Sequence, residues 1–267
     1  MRAGAPKRTP EGRPPELGIS RTDHAGPGTA GTVVGRYRLE RALDSKARVW
    51  LAADGAGGLH VVKIGTRDSV RAEFEMLSML RHPNIVAVRE LIESEAGSFL
   101  VLEYLSGGDL VSLAGFAPAH WLGPLADVIE ALGFVHRHGI VHRDLKARNV
   151  LLDAEDRARL TDFASAQPAG SRFSRGGMTE AVIEPSRRDG PVAPADDVYA
   201  LACLVHELLF GAPPGTGDPK AARASAGPLI RLVGECLATS DRGARPDLSQ
   251  FEAVVKSLRR SNETANE

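Results

Sequence analysis

The feature that most restricts this chain is the stretch IVHRDLKARNVLL, Ile140 to Leu152. Its ends, Ile140–Val141 and Val150–Leu152, are apolar residues that gain free energy by leaving water. Between them stand His142, Arg143, Asp144, Lys146, Arg148 and Asn149. That interior shows neither the alternation of a half-buried strand nor the 3.6-residue period of an amphipathic helix. The chain must bury both ends and hold a polar loop between them. A loop pinned in this way presents charged groups at set places.

The residues that follow sharpen the reading. VLL (150–152) and ARLT (158–161) read as short strands joined by DAEDR. Paired antiparallel, they bring Asn149, before the first strand, beside Asp162, after the second. An amide oxygen next to a carboxylate suits Mg²⁺, which takes hard oxygen ligands and keeps room for phosphate oxygens. Asp144 is a second carboxylate near that metal, free for a role other than ligation, and Lys146 can meet an anionic group. Metal ligands, a carboxylate to orient a hydroxyl and a cation are the parts needed for phosphoryl transfer.

Around this loop the chain changes character. Residues 1–35 are crowded with Pro and Gly and lack apolar periodicity, so a disordered leader is expected there. From residue 36 to 104 come strand-like segments, YRLERAL, RVWLAAD, LHVVKIG, NIVAVRELIES and GSFLVLEYL, with one helical pattern, SVRAEFEMLSMLR. From 105 to 260 the patterns are mostly helical, and 261–267 reads as a frayed tail. The expected class is α+β, with a small sheet-rich lobe before a larger helical one.

Composition narrows the partners. At 43% hydrophobic residues, 25% charged and net charge −1, the chain offers no general attraction for nucleic acid or an anionic membrane. The most apolar window, VYALACLVHELLF, is too short to cross a bilayer and carries His206 and Glu207. No signal peptide is evident. Cys203 and Cys236 form no CxxC and read as reduced core thiols. A cytoplasmic protein without a membrane span is expected.

With these residues in view, HRDLKARN resembles the catalytic loop of eukaryotic-type (Hanks-type) serine/threonine protein kinases. VVKI resembles their ATP-contacting strand and TDFA their metal-binding DFG. The resemblance runs from Tyr37 to Arg259 and implies a bilobal kinase-like fold. It implies Asp144 as catalytic base with Lys146 beside it, Asn149 and Asp162 as ligands of Mg²⁺ (with Mn²⁺ as an alternative), and Lys63 on the ATP phosphates. Lys63 then needs a helix glutamate. Glu73 shares a face with Leu77 and Leu80, whereas Glu75 lies around the helix, so Glu73 is chosen. FLVLEYLSGGDL resembles the lobe connector, with backbone groups of Glu103 and Leu105 facing adenine. ADDVYALACLVHELLFGAPP resembles the central helix of the large lobe, with Asp197 bracing the catalytic loop. The implied reaction moves the ATP γ-phosphate to a Ser or Thr hydroxyl of a protein substrate.

The sequence departs from that family at three places. ALDSKARVW (42–50) has no glycine where the family drapes a glycine-rich loop over phosphates, and Lys46 or Arg48 is the candidate replacement. Ala164 replaces the glycine of DFG, and IEPS (183–186) replaces an APE-like triplet. The alternatives are a pseudokinase acting as a binding module, favoured by the missing glycines, and a kinase-fold small-molecule phosphotransferase, disfavoured by Arg143 and Lys146.

Overall fold

The computed structural model describes residues 28–172, 190–215, 226–239 and 241–265. Six strands make one antiparallel sheet: β1 (Val33–Val34), β2 (Tyr37–Ala42), β3 (Val49–Ala53), β4 (Leu59–Gly65), β5 (Val88–Ser94) and β6 (Gly97–Glu103), in the order β1-β2-β3-β4-β6-β5. Alternation along the strands sorts their side chains between two faces. Tyr37, Leu39, Trp50, Val62, Phe99 and Val101 form one apolar cluster, while Val61, Leu100 and Leu102 join the main core. Lys63 follows Val61 by two residues and therefore shares its inward face. Over that face lies α1 (Arg67–Met79), which begins at an N-cap where the Thr66 hydroxyl accepts from the Ser69 N–H, and which buries Val70, Glu73 and Leu77.

The helical part follows. It comprises α2 (Pro118–Arg137), α3 (Pro194–Phe210), α4 (Gly227–Ala238) and α5 (Leu248–Ala265), with short strands β7 (Ile140–Val141), β8 (Val150–Leu152), β9 (Ala158–Leu160) and β10 (Gln167–Pro168) between α2 and α3. The α1–β5 connection ties the two parts together. Val86 N–H donates to the Leu160 carbonyl (3.0 Å), and Leu160 N–H donates to that of Asn84 (2.9 Å).

Two expected boundaries shift. The leader was expected to run to residue 35, but the sheet begins at Val33. Val34 is fully buried, and Leu39 N–H donates to the Thr32 carbonyl (2.8 Å). Val34 joins the outer apolar cluster, a signal lost among the surrounding glycines. Residues 1–27 lie outside the described residues. The tail was expected to fray from 261, yet α5 continues to Ala265, because neither Gly nor Pro follows Arg260 to stop it. Residues 266–267 are outside the described residues.

Removing residues 1–35 should therefore cost more than removing 1–27. Burial of Val34 is worth about 2 kcal/mol, or a midpoint lower by roughly 4–8 °C in a domain of this size. Thermal melts of the two truncations test this, and coincident midpoints would show that β1 contributes nothing.

Candidate active site

The polar loop is held from beneath. Asp197, in the first turn of α3 and fully buried, accepts the backbone N–H groups of His142 and Arg143, both at 2.8 Å, and lies 2.8 Å from His136 Nε2 of α2. Arg143 sits at φ 71°, a left-handed conformation unusual for a non-glycine residue. Leu145 and Ala147 are fully buried and anchor the loop from within. Burial alone would raise the Asp197 carboxyl, but His136 and the loop N–H groups outweigh it and hold the pKa below the usual range.

That direction sets a sign. A folded-state pKa below the unfolded one means stabilisation that is complete above about pH 4 and is lost as pH falls through the lower folded value. Asp197→Asn should cost about 3 kcal/mol or more at neutral pH, since buried donors lose a charged acceptor. The gap between parent and variant in urea midpoint should shrink at about pH 3. A gap that does not change with pH would refute the charge-based account.

On this platform Asp144 and Asn149 come into contact. Asn149 Nδ2 donates to the Asp144 backbone carbonyl (2.8 Å) and to Asp144 Oδ2 (3.0 Å), and Lys146 Nζ donates to the same carboxylate oxygen at 2.7 Å. β8 and β9 pair with Val150 opposite Leu160, and Thr161 donates from its N–H (2.8 Å) and hydroxyl (3.1 Å) to the Asn149 carbonyl. Asp162 therefore follows one residue after this lock. It adopts φ 63° and ψ 66°, which an aspartate tolerates better than most residues. Phe163 next to it is buried against the His142 ring, centroids 4.7 Å apart.

Lys63 joins the sheet to this loop. Its Nζ donates to Glu73 Oε1 (2.9 Å) and Oε2 (2.7 Å), and to Asp162 Oδ1 (2.7 Å). Burial would lower the lysine pKa, but the two carboxylates outweigh it and hold the ammonium above its ordinary value. Burial likewise pushes Asp162 up, and Lys63 overrides it to leave the carboxyl below the usual range. Glu73 is buried while Glu75 is exposed, as the helix face required.

The oxygens left over have metal-ligand character. The Asn149 amide nitrogen is engaged by Asp144 and Asp162 Oδ1 by Lys63; Asn149 Oδ1 and Asp162 Oδ2 accept no hydrogen bond from a described residue. Both are hard donors, so this pair fits a divalent cation such as Mg²⁺.

Two departures in the sequence gain a physical account. Ala164 lies in a one-turn helix without positive φ, so glycine is not required there. The glycine-free turn 43–48 is sealed by its own side chain. Asp44 Oδ1 accepts the N–H groups of Arg48 (2.8 Å) and Val49 (2.9 Å), and Trp50 Nε1 donates to the Ala47 carbonyl (2.8 Å), with Ala47 at φ 50°. These N–H groups are consumed internally. The sequence reading did not include this role of Asp44; the signal was an aspartate four and five residues before the groups it satisfies. The third departure, residues 183–186, lies outside the described residues.

In the connector, Leu102 and Leu105 are buried, and the backbone N–H and carbonyl of Leu105 bond to no described residue. The Glu103 carboxylate turns away from the pair, accepting from Ala87 N–H (2.8 Å) and Arg159 Nη1 (3.2 Å).

A family model described as a protein kinase domain matches residues 58–250. This chain belongs to the protein kinase domain family. Among its relatives, CBL-interacting protein kinase 16 of Oryza sativa is 32% identical over 203 residues, covering 67% of this chain and 44% of the relative. CBL-interacting serine/threonine-protein kinase 21 of Arabidopsis thaliana is 32% identical over 200 residues, covering 68% and 48%. Serine/threonine-protein kinase PknB of Mycobacterium tuberculosis is 35% identical over 164 residues, covering 55% and 26%. The kinase domain thus spans less than half the length of each. Among the described residues, no helix is long and apolar enough to cross a membrane.

Proposed function

We propose that this chain is an ATP-dependent protein serine/threonine kinase, transferring the γ-phosphoryl group to a protein Ser or Thr hydroxyl. The observation that carries the reading is Lys63 Nζ held 2.7 Å from both Glu73 and Asp162, beside a loop that joins Asp144, Lys146 and Asn149. The names of the relatives, two of them serine/threonine-protein kinases, support it. In this reading Lys63 contacts the α/β phosphates and Glu73 keeps it aimed. Asp144 orients the acceptor hydroxyl and takes its proton as the new O–P bond forms and the bond to ADP breaks, while Lys146 offsets the charge. Asn149 and Asp162 would hold Mg²⁺, which supplies charge neutralisation at the phosphates. Backbone groups of Glu103 and Leu105 receive adenine. Cytoplasmic residence belongs to the same proposal, supported by two buried free thiols.

Incubation with labelled ATP, Mg²⁺ or Mn²⁺, a generic basic protein and an aminoglycoside tests it. Phosphoserine or phosphothreonine on the protein is expected; label only on the small molecule, or none with either metal, would overturn it.

The sealed turn favours one modification of this scheme. Lys46 and Arg48 are exposed and form no ion pair with a described residue, so they are the cations available there for phosphates. Lys46→Ala/Arg48→Ala should weaken ATP binding about tenfold or more and leave adenosine binding unchanged, since charge-assisted bonds to phosphate are lost. Equal ATP affinity in parent and variant would show that another group covers the phosphates.

A further inference from the structure

Away from the Lys63 cluster, a cavity of about 380 Å³ opens between the end of α1, the α1–β5 connection, β5 and β9. Its volume is at the lower end of ligand-binding clefts. Leu77, Leu80, Ile85, Val86 and Val88 supply apolar wall, and Arg81, Arg89 and Arg159 supply charge. No carboxylate is among its lining residues.

The arginines are not equally engaged. Arg81 is exposed and makes no ion pair with a described residue. Arg89 is the residue at which the β5–β6 register shifts, and such a bulge re-aims the side chain it carries. Its guanidinium is 3.9 Å from Glu103, at the limit of an ion pair. Arg159 meets the same Glu103 (3.2 Å) and Asp153 (3.3 Å), and its Nε is buried with no partner among the described residues. Glu103 and Asp153 are not among the residues that line the cavity, and Glu130 lies 3.6 Å from His82 Nε2. Two guanidinium groups thus share two carboxylates, and Arg81 pairs with none among the described residues, which leaves an unmatched positive face over an apolar floor.

We propose that this cavity binds an acidic peptide, with a carboxylate in the fork of the arginines and a neighbouring aliphatic side chain on the apolar floor. Guanidinium groups recognise planar carboxylates bidentately, and three of them around one opening select for charge. The apolar wall gives an aliphatic residue somewhere to leave water, which a free inorganic anion cannot use.

The site is wired to the candidate active site by two short links. Glu103, at the lobe connector, clasps Ala87 of the cavity wall through its backbone N–H (3.0 Å) and its carboxylate (2.8 Å). Leu77 lies one turn along α1 from Glu73, the partner of Lys63. A peptide seated here biases both the adenine connector and the Lys63–Glu73 pair. This regulatory consequence rests on the kinase reading; the binding does not.

A fluorescein-labelled peptide ELEEL, titrated by anisotropy against the full chain, tests the site beside QLQQL and ESEES. The parent should bind ELEEL at least about tenfold more tightly than either control, and Arg81→Ser/Arg89→Ser should lose about tenfold. Both arginines are exposed, so the variant should keep its thermal midpoint. Equal affinity for the three peptides, or unchanged binding by the variant, would overturn the proposal. Should the variant not fold, amide exchange of the parent decides: ELEEL must slow exchange across residues 77–89, and protection elsewhere counts against the site. A chain that binds ELEEL here yet transfers no phosphate keeps the site and loses the kinase reading.

Discussion

Asp144→Asn should lower the rate of phosphate transfer by about 10²–10⁴ while changing ATP affinity little, because a positioned general base contributes that much to the transition state. The substitution nearly preserves shape. The amide oxygen it introduces can still accept from Lys146 and Asn149, which donate to the Asp144 carboxylate at 2.7 and 3.0 Å, so the loop keeps its frame on Asp197. What is lost is the negative charge that takes up the acceptor proton. The measurement is kcat with a protein substrate, with nucleotide binding measured separately. Comparable autophosphorylation by parent and variant would remove Asp144 from the proposed role.

Asp162→Ala should remove the metal-dependent part of nucleotide binding. Only two side-chain oxygens, on Asn149 and Asp162, are proposed for the cation, and a single amide oxygen is a poor site for a hard ion. The change also strips Lys63 of one of its two carboxylate partners. With ligand at about a hundred times its Kd, the parent gains about 2.7 kcal/mol, a rise in midpoint of roughly 5–10 °C. The variant should show no more than its metal-free shift. A full Mg-ATP shift in Asp162→Ala would move the metal to other ligands.

Much of this site was legible in the sequence, for a local reason. The face of a helix follows from periodicity, so Glu73 could be preferred to Glu75 from its spacing to Leu77 and Leu80, whereas Lys63 was placed by the resemblance of VVKI and only the sheet set it inward beside Val61. Hairpin pairing of 150–152 with 158–161 likewise carries Asn149 and Asp162 to one end by register. The limits of the sheet were less legible, because Val33–Val34 is too short to show a period of its own.

By itself, then, the sequence determined which residues face inward and which polar groups stand together on the loop, since both follow from spacing along one element. Only the tertiary structure decided what each buried or paired group spends its hydrogen bonds on. Asp197 serves N–H groups 54 and 55 positions away and His136 61 positions away. Asp44 consumes the N–H groups of Arg48 and Val49 that a glycine-rich loop leaves open. Arg81, Arg89 and Arg159 meet around a single cavity from separate elements. Each is a competition among donors and acceptors brought together by folding, where an unpaired buried polar group costs more than the bond it forgoes in water.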